Sequence, residues 1–116
     1  MKNKELGAFG EILAQKRLED KGYGFICKNY RGDGCEIDLI MEDGNTLVFV
    51  EVKTRSDMSF SSGRSAVNFK KQQHMMRAAQ RFLIENEMQL RRCRMDVVEI
   101  DMKNKTICHI KSAFTI

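Results

Sequence analysis

Proline is missing from the 116 residues, and there is neither an internal repeat nor a low-complexity run. Nothing therefore marks a linker or an internal boundary, and the length suits one domain, 1–116, with a single modest core. No apolar stretch approaches the roughly 18–20 residues that a membrane span needs. The opening Met1-Lys2-Asn3-Lys4-Glu5-Leu6-Gly7 is charged with no apolar segment after it, which argues against a signal peptide. The four cysteines (Cys27, Cys35, Cys93, Cys108) are separated by 8, 58 and 15 positions, so the close pairs of a zinc site are lacking. A domain of this size has no need of disulfides, and a reducing cytoplasm is the expected location. His74 and His109 stand alone in the sequence and read as ordinary surface or core residues.

Hydrophobic residues make up 42% and charged residues 31%, which is ordinary for a globular protein, while the net charge of +4 leans weakly towards a polyanionic partner.

The spacing predicts a helix over 4–21, ended at Gly22, with Leu6, Phe9 and Leu13 along one side. Glu11 lies among Gly7, Ala8, Ala14 and Gln15, small enough neighbours for the helix to pack closely on another element. Strands are expected over 25–30, 36–41, 46–54, 94–101 and 106–115, with a second helix from 66 to about 85. The order α-β-β-β-α-β-β describes an α/β fold with a mixed central sheet flanked by helices. The segment 55–63 is polar and serine-rich, with Phe60 inside it, and reads as a loop that closes over substrate or contacts a second copy. Met75, Met76 and Met88 fall among apolar positions and read as core filler.

The chemistry concentrates in the second and third strands. Glu36-Ile37-Asp38 opens one apolar run, and Leu47-Val48-Phe49-Val50 leads into Glu51-Val52-Lys53 in the next. With Asp43-Gly44 as a two-residue hairpin loop, position 36 faces 51 and position 38 faces 49. Glu36, Asp38, Glu51 and Lys53 then share one face, leaving Ile37, Leu39, Val48, Val50 and Val52 on the other, and a bulge would break that parity. Buried-strand carboxylates are costly unless they pair or bind a metal. Two or three at one point offer hard oxygen ligands to Mg²⁺ or Mn²⁺, which would activate a water for phosphodiester hydrolysis. Asp38 and Glu51 are the expected metal ligands and Lys53 the group directed at water and phosphate. Glu11 would join from the helix as a further ligand or supporting acid. Glu36 is the weaker candidate, because Arg31 or Lys28 could take it in an ion pair. The bland alternative is a surface hairpin whose charges pair across the strands, worth about 0.2–1 kcal/mol per pair.

Lys70, His74, Arg77 and Arg81 form a basic stripe at helical spacing. Helped by Lys71, Arg91, Arg92 and Arg94 it could follow a phosphate backbone. The commoner case for such a stripe is the solvated side of an amphipathic helix.

Gly7-x-x-Gly10-Glu11-x-x-Ala14, Asn29-Tyr30-Arg31, Glu36-Ile37-Asp38-Leu39-Ile40 and Val48-Phe49-Val50-Glu51-Val52-Lys53-Thr54-Arg55 together resemble the YraN family. Ala66-Val67, Lys71, Ala79 and Arg94-Met95-Asp96-Val97-Val98 extend the resemblance over nearly the whole chain. That family is similar to archaeal Holliday-junction resolvases. The resemblance implies a restriction-endonuclease-like core of the PD-(D/E)xK type, with Glu11, Asp38, Glu51 and Lys53 at the acidic and lysine positions. Arg31, Arg55, Lys70, Lys71 and Arg77 are the residues expected to contact nucleic acid. Cys35 stands where the family usually has glycine, which puts the placement of Glu36 in question. The expected protein is a Mg²⁺- or Mn²⁺-dependent endonuclease acting on branched or single-stranded DNA, as a homodimer in the manner of resolvases. The competing reading is a catalytically silent nucleic-acid-binding or protein-interaction module on the same fold.

Overall fold

The computed structural model describes residues 3–56 and 68–114. The helix expected to begin at Ala66 begins at Phe69, and residues 66 and 67, like most of the 55–63 loop with Phe60, lie outside the described residues.

Helix α1 (Asn3–Asp20) ends where Gly22 turns to φ +94°. Tyr23 N–H then donates to Leu18 O at 3.0 Å and Gly22 N–H to Glu19 O at 2.9 Å, the paired bonds of a Schellman cap. Tyr23 and Leu18 are both buried in the same cluster, so the cap also fixes how the chain enters the sheet. Strands β1 (Gly24–Gly32) and β2 (Cys35–Asp43) are joined by Asp33-Gly34, at φ +55° and +75°, the double left-handed backbone of a two-residue hairpin turn. Strand β3 (Thr46–Arg55) follows, then α2 (Phe69–Glu85), β4 (Arg92–Asp101) and β5 (Thr106–Phe114). The predicted element order is the one observed.

The five strands form one mixed sheet in the order β1-β2-β3-β4-β5. Only β3 and β4 run parallel among the paired strands. A parallel neighbour requires a long crossover connection, and α2 lies within it. One core forms beneath α2 from Ile37, Ile40, Phe49, Met75, Phe82 and Val97 with their neighbours. The other lies on the α1 side, around Ala14, Leu18, Leu39, Val48, Val50 and Val98. Met75 is buried in the first of these, with Met76 and Met88 packed against it. Both outer strand pairs carry a register break, between Phe25 and Cys27 in β1 and between Met95 and Val97 opposite β5.

Two expectations need correcting. The buried stripe of α1 is Gly10, Ala14 and Leu18, whereas Phe9 and Ile12 are exposed. The small residues let the helix come close to β3: a Cβ on Gly10 would overlap Thr54 Oγ1 and sit 2.9 Å from Thr54 Cβ. The β2–β3 loop is Gly44-Asn45, with Asp43 opposite Thr46 and Leu39 opposite Val50, two positions from the expected register. An even slip preserves which side chains share a face. The alternation nevertheless breaks at Asp38. Ile37 joins the α2-side core together with Ile40, not the α1-side core with Leu39.

Candidate functional site

The break at Asp38 comes from a side chain doing the work of the backbone. The β2–β3 pairing runs from Asp43 back to Leu39. Next to it, Asp38 Oδ2 accepts the Val52 N–H at 2.8 Å. A carboxylate accepting a backbone N–H makes a strong bond and is held in one orientation. Asp38 is thereby pinned beside Glu51, on the strand that carries Lys53.

One open cleft, about 280 Å³ in volume, is lined by Leu6, Gly7, Glu11, Asp38, Glu51, Val52, Lys53 and Thr54. The four residues singled out from the sequence as the reactive set therefore border a single space, supplied by α1, β2 and β3. Glu51 is the deepest, its side chain 9% exposed. Burial and then the Asp38 carboxylate push its pKa up to about 8, against the smaller opposing pull of Lys71 and Lys53. Lys71 Nζ on α2 lies 3.6 Å from Glu51 Oε2. Glu51 Oε1 is buried with no hydrogen-bond partner among the described residues, as is Thr54 Oγ1. An ionisable group so poised in a cleft is a functional-site signature.

Glu11 is half-buried, and burial followed by the Asp38 and Glu36 carboxylates raises its pKa, while the Asn29 side chain and Lys28 draw it down. Of the three carboxylates expected to share a metal, Asp38 and Glu51 act on each other directly, and Glu11 borders the same cleft and feels the charge of Asp38. Among the described residues no three His, Cys, Asp or Glu side chains converge as a ready-made metal site. Asn29, unremarked in the sequence beyond its place in a motif, occupies φ +54° between Lys28 and Tyr30, which pair with Leu39 and Ile37. A left-handed backbone is uncommon outside glycine and is best tolerated by asparagine. Here it lies across from Asp38 and serves Glu11.

Glu36 takes the alternative role anticipated for it, pairing with Arg31 at 3.1 Å. Cys35 is buried in the α2-side core, so its side chain is accommodated in place of the glycine usual there.

The basic residues divide. Lys70, Arg77 and Arg81 are exposed on α2, Arg81 in an ion pair with Glu85 at 3.2 Å. Lys71 turns to Glu51 instead. Arg55, expected to reach nucleic acid, pairs with Glu99 at 3.3 Å and is 15% exposed. Arg91 binds Glu42 at 2.7 Å and the Asn45 carbonyl. Arg94 binds Asp96, Asp43 and Tyr23 Oη. These three arginines are committed to holding the fold, because carboxylates lie within their reach.

The largest feature that the sequence reading missed is the network around Asp96, which is fully buried. It accepts Arg94 Nε at 2.9 Å and the Ser112 N–H at 3.0 Å, with His109 Nε2 2.7 Å from its other oxygen. Burial alone would raise this carboxyl, but the bonds from His109, Arg94 and Ser112 outweigh it and lower its pKa. His109 Nδ1 is 2.8 Å from Lys21 Nζ, which ties α1 to β5. A lone acid within Met95-Asp96-Val97-Val98 was the available signal, since a charge in an apolar strand requires partners.

The chain matches the family described as "Uncharacterised protein family UPF0102" over residues 10–100. It belongs to that family. A UPF0102 protein of Alkaliphilus oremlandii is 42% identical over 116 residues, covering 97% of this chain and 99% of the relative. Another from Clostridioides difficile is 40% identical over 114 residues, covering 98% and 100%. One from Legionella pneumophila subsp. pneumophila is 39% identical over 111 residues, covering 95% and 94%. The YraN-like membership implied by the sequence motifs is thus established over nearly the whole chain. Among the described residues no helix is long and apolar enough to cross a membrane.

Proposed function

We propose that this UPF0102 chain is a divalent-metal-dependent DNA endonuclease with a restriction-endonuclease-like core, acting in the reducing cytoplasm, where its four free thiols are at home. The observation that carries the reading is the cleft shared by Glu11, Asp38, Glu51 and Lys53. Within it, Glu51 keeps one buried oxygen without a partner among the described residues and has its pKa raised by burial and then by the acid beside it.

The donor set fits a hard cation. Asp38 and Glu51 would hold Mg²⁺ or Mn²⁺, with Glu11 acting through water or as a supporting acid. When bound, such an ion polarises the phosphate and lowers the pKa of a water in its shell. The chain's own residues do the rest. Val52 N–H fixes the Asp38 carboxylate and so presents its free oxygen in one direction. Lys53 Nζ directs the attacking water and offsets negative charge gathering on the phosphate oxygens. Lys70 and Arg77, exposed on α2, meet the backbone of the bound strand, and Arg31 adds a third contact from the β1–β2 side. A homodimer is the assembly that would give paired cuts on a branched substrate.

The second reading, a nucleic-acid-binding module without turnover, draws on one observation: the three carboxylates do not converge among the described residues. Incubation with labelled four-way, flap and single-stranded DNA in Mg²⁺ or Mn²⁺ separates the two. Cleavage that EDTA abolishes and that Asp38→Ala loses supports the enzyme. Cleavage persisting in either condition overturns it. Salt-sensitive DNA binding, with no cleavage across the panel and no response to Asp38→Ala, supports the module.

A further inference from the structure

Lys71, on α2, is the cation beside Glu51 that the proposed reaction leaves without a task. Its backbone is fixed by the start of α2, where Asn68 Oδ1 accepts the Lys71 N–H at 2.9 Å. From there the side chain crosses to β3 and places Nζ 3.6 Å from Glu51 Oε2. The two ends of this contact differ. The Lys71 side chain is 40% exposed and Glu51 only 9%. The separation is also longer than the roughly 2.7–2.9 Å of a tight charge-assisted hydrogen bond. A buried acid that also hydrogen-bonds Asp38 is thus held only loosely from α2, by a long side chain whose head reaches water. Lysine delivers a point charge on a flexible stem, so moving the head a few ångströms requires no backbone change.

The charge count of the cleft gives this contact a direction. Asp38 and Glu51 carry at most two negative charges, and a divalent cation between them balances both. An ammonium left beside that cation is surplus positive charge close to another positive charge, an arrangement that is strongly repulsive away from bulk water. The strongest acceptor then within reach is a phosphate laid across the mouth of the cleft, next to exposed Lys70 on the same turn of helix.

We propose that Lys71 is an exchangeable partner of Glu51: it holds the glutamate while no divalent cation is bound, and is handed over to the DNA backbone when a cation takes the carboxylates. Lys71 is then a positioning residue through which metal and DNA each strengthen the binding of the other. The inference rests on the nuclease reading of the cleft. It separates Lys71 from Lys70 and Arg77, whose phosphate contacts would not depend on the metal.

The test is a linkage measurement. Anisotropy of a fluorescein-labelled four-way DNA junction gives Kd in EDTA and in saturating Ca²⁺, used in place of Mg²⁺ so that hydrolysis does not consume the probe. Calorimetry gives the Ca²⁺ affinity with and without unlabelled junction. In the unaltered protein, Ca²⁺ tightens DNA binding about tenfold and DNA tightens Ca²⁺ binding by the same factor, within the usual span of coupling between sites. In Lys71→Met both factors fall below about threefold, while DNA affinity in EDTA stays within about twofold of the unaltered protein. Lys70→Met weakens DNA binding alike with and without Ca²⁺ and keeps the coupling. Lys71→Gln, closer in polarity to lysine and without its charge, loses the coupling too and guards against a packing defect in the methionine variant.

Coupling unchanged in both Lys71 variants overturns the inference, whether or not their stability falls. Equal loss of DNA affinity in EDTA and in Ca²⁺ overturns it as well, because Lys71 would then be an ordinary phosphate contact. Should the unaltered protein bind no divalent cation and cut no DNA, the nuclease reading fails and this inference with it. Should it bind and cut while the Lys71 variants stay fully coupled, only this inference fails.

Discussion

Replacing Glu51 with glutamine removes one ionisation and almost no volume, so its effect on stability can be worked from the burial of that carboxyl. In the folded protein Glu51 keeps its proton until about pH 8, whereas in the unfolded chain it releases it near 4.5. Between those values the native state binds more protons than the unfolded state, so stability falls as pH rises, by up to about 1.4 kcal/mol per pH unit. From pH 5.5 to 7.5 the loss attributable to Glu51 is therefore about 2 kcal/mol. Urea unfolding in EDTA at the two pH values, for the unaltered protein and Glu51→Gln, isolates this loss because every other titrating group is common to both chains. The glutamine variant should gain about 2 kcal/mol relative to the unaltered protein over that interval. Adding Mg²⁺ at about one hundred times its Kd should restore about 2.7 kcal/mol to the unaltered protein at pH 7.5, and nothing to the variant. Parallel pH profiles for the two proteins in EDTA would refute the claim that Glu51 is held protonated by its surroundings.

Two further outcomes test parts of the frame. Asp96→Ala leaves the buried His109 ring and the half-buried Arg94 guanidinium, which keeps Asp43, without their shared acceptor and should cost about 3 kcal/mol in urea unfolding; a change below about 1 kcal/mol would mean the network contributes little. Gly10→Ala, which in an exposed helix would stabilise by about 1 kcal/mol, should here destabilise by about 1–3 kcal/mol because the new methyl meets Thr54. It should also slow DNA cleavage by shifting Glu11, and an unchanged or raised melting temperature would show that α1 can move away without penalty.

Much of the fold was legible because its signals are local. Gly22 after Lys21, the glycines at positions 34 and 44, and the apolar runs of β2, β3 and β4 each act over a few residues, and the element order follows from them. The reactive set was legible for a related reason: acids at the ends of apolar strands are costly enough to need a purpose. What failed was parity and partnership. Period-two counting assigned Ile37 to the face of Leu39, because nothing in the residue types shows that Asp38 takes the Val52 N–H and interrupts the alternation. The buried face of α1 was misjudged for a different reason: close approach to β3 selects glycine and alanine over the bulkier Phe9. Arg55 and Arg91 read as free cations, since their carboxylates lie on strands distant in sequence; Arg94 has one such distant partner, Asp43, and a second, Asp96, two positions along its own strand. Lys71 and Glu51 are twenty positions apart, and no spacing rule links a helix's first turn to a strand before it.

The register breaks in the two outermost strand pairs bear on how copies of this protein could associate. An unpaired strand edge is a template for another chain, and a kink in it spoils the match. With β1 interrupted at Phe25/Cys27, and β5 left-handed at Ser112 opposite the break at Met95/Val97, neither border offers a long straight row of donors and acceptors. Continuous ribbons built by sheet extension, fibrils included, are disfavoured by the backbone itself. A twofold assembly of this protein would accordingly be joined through side chains on its helical or loop surfaces.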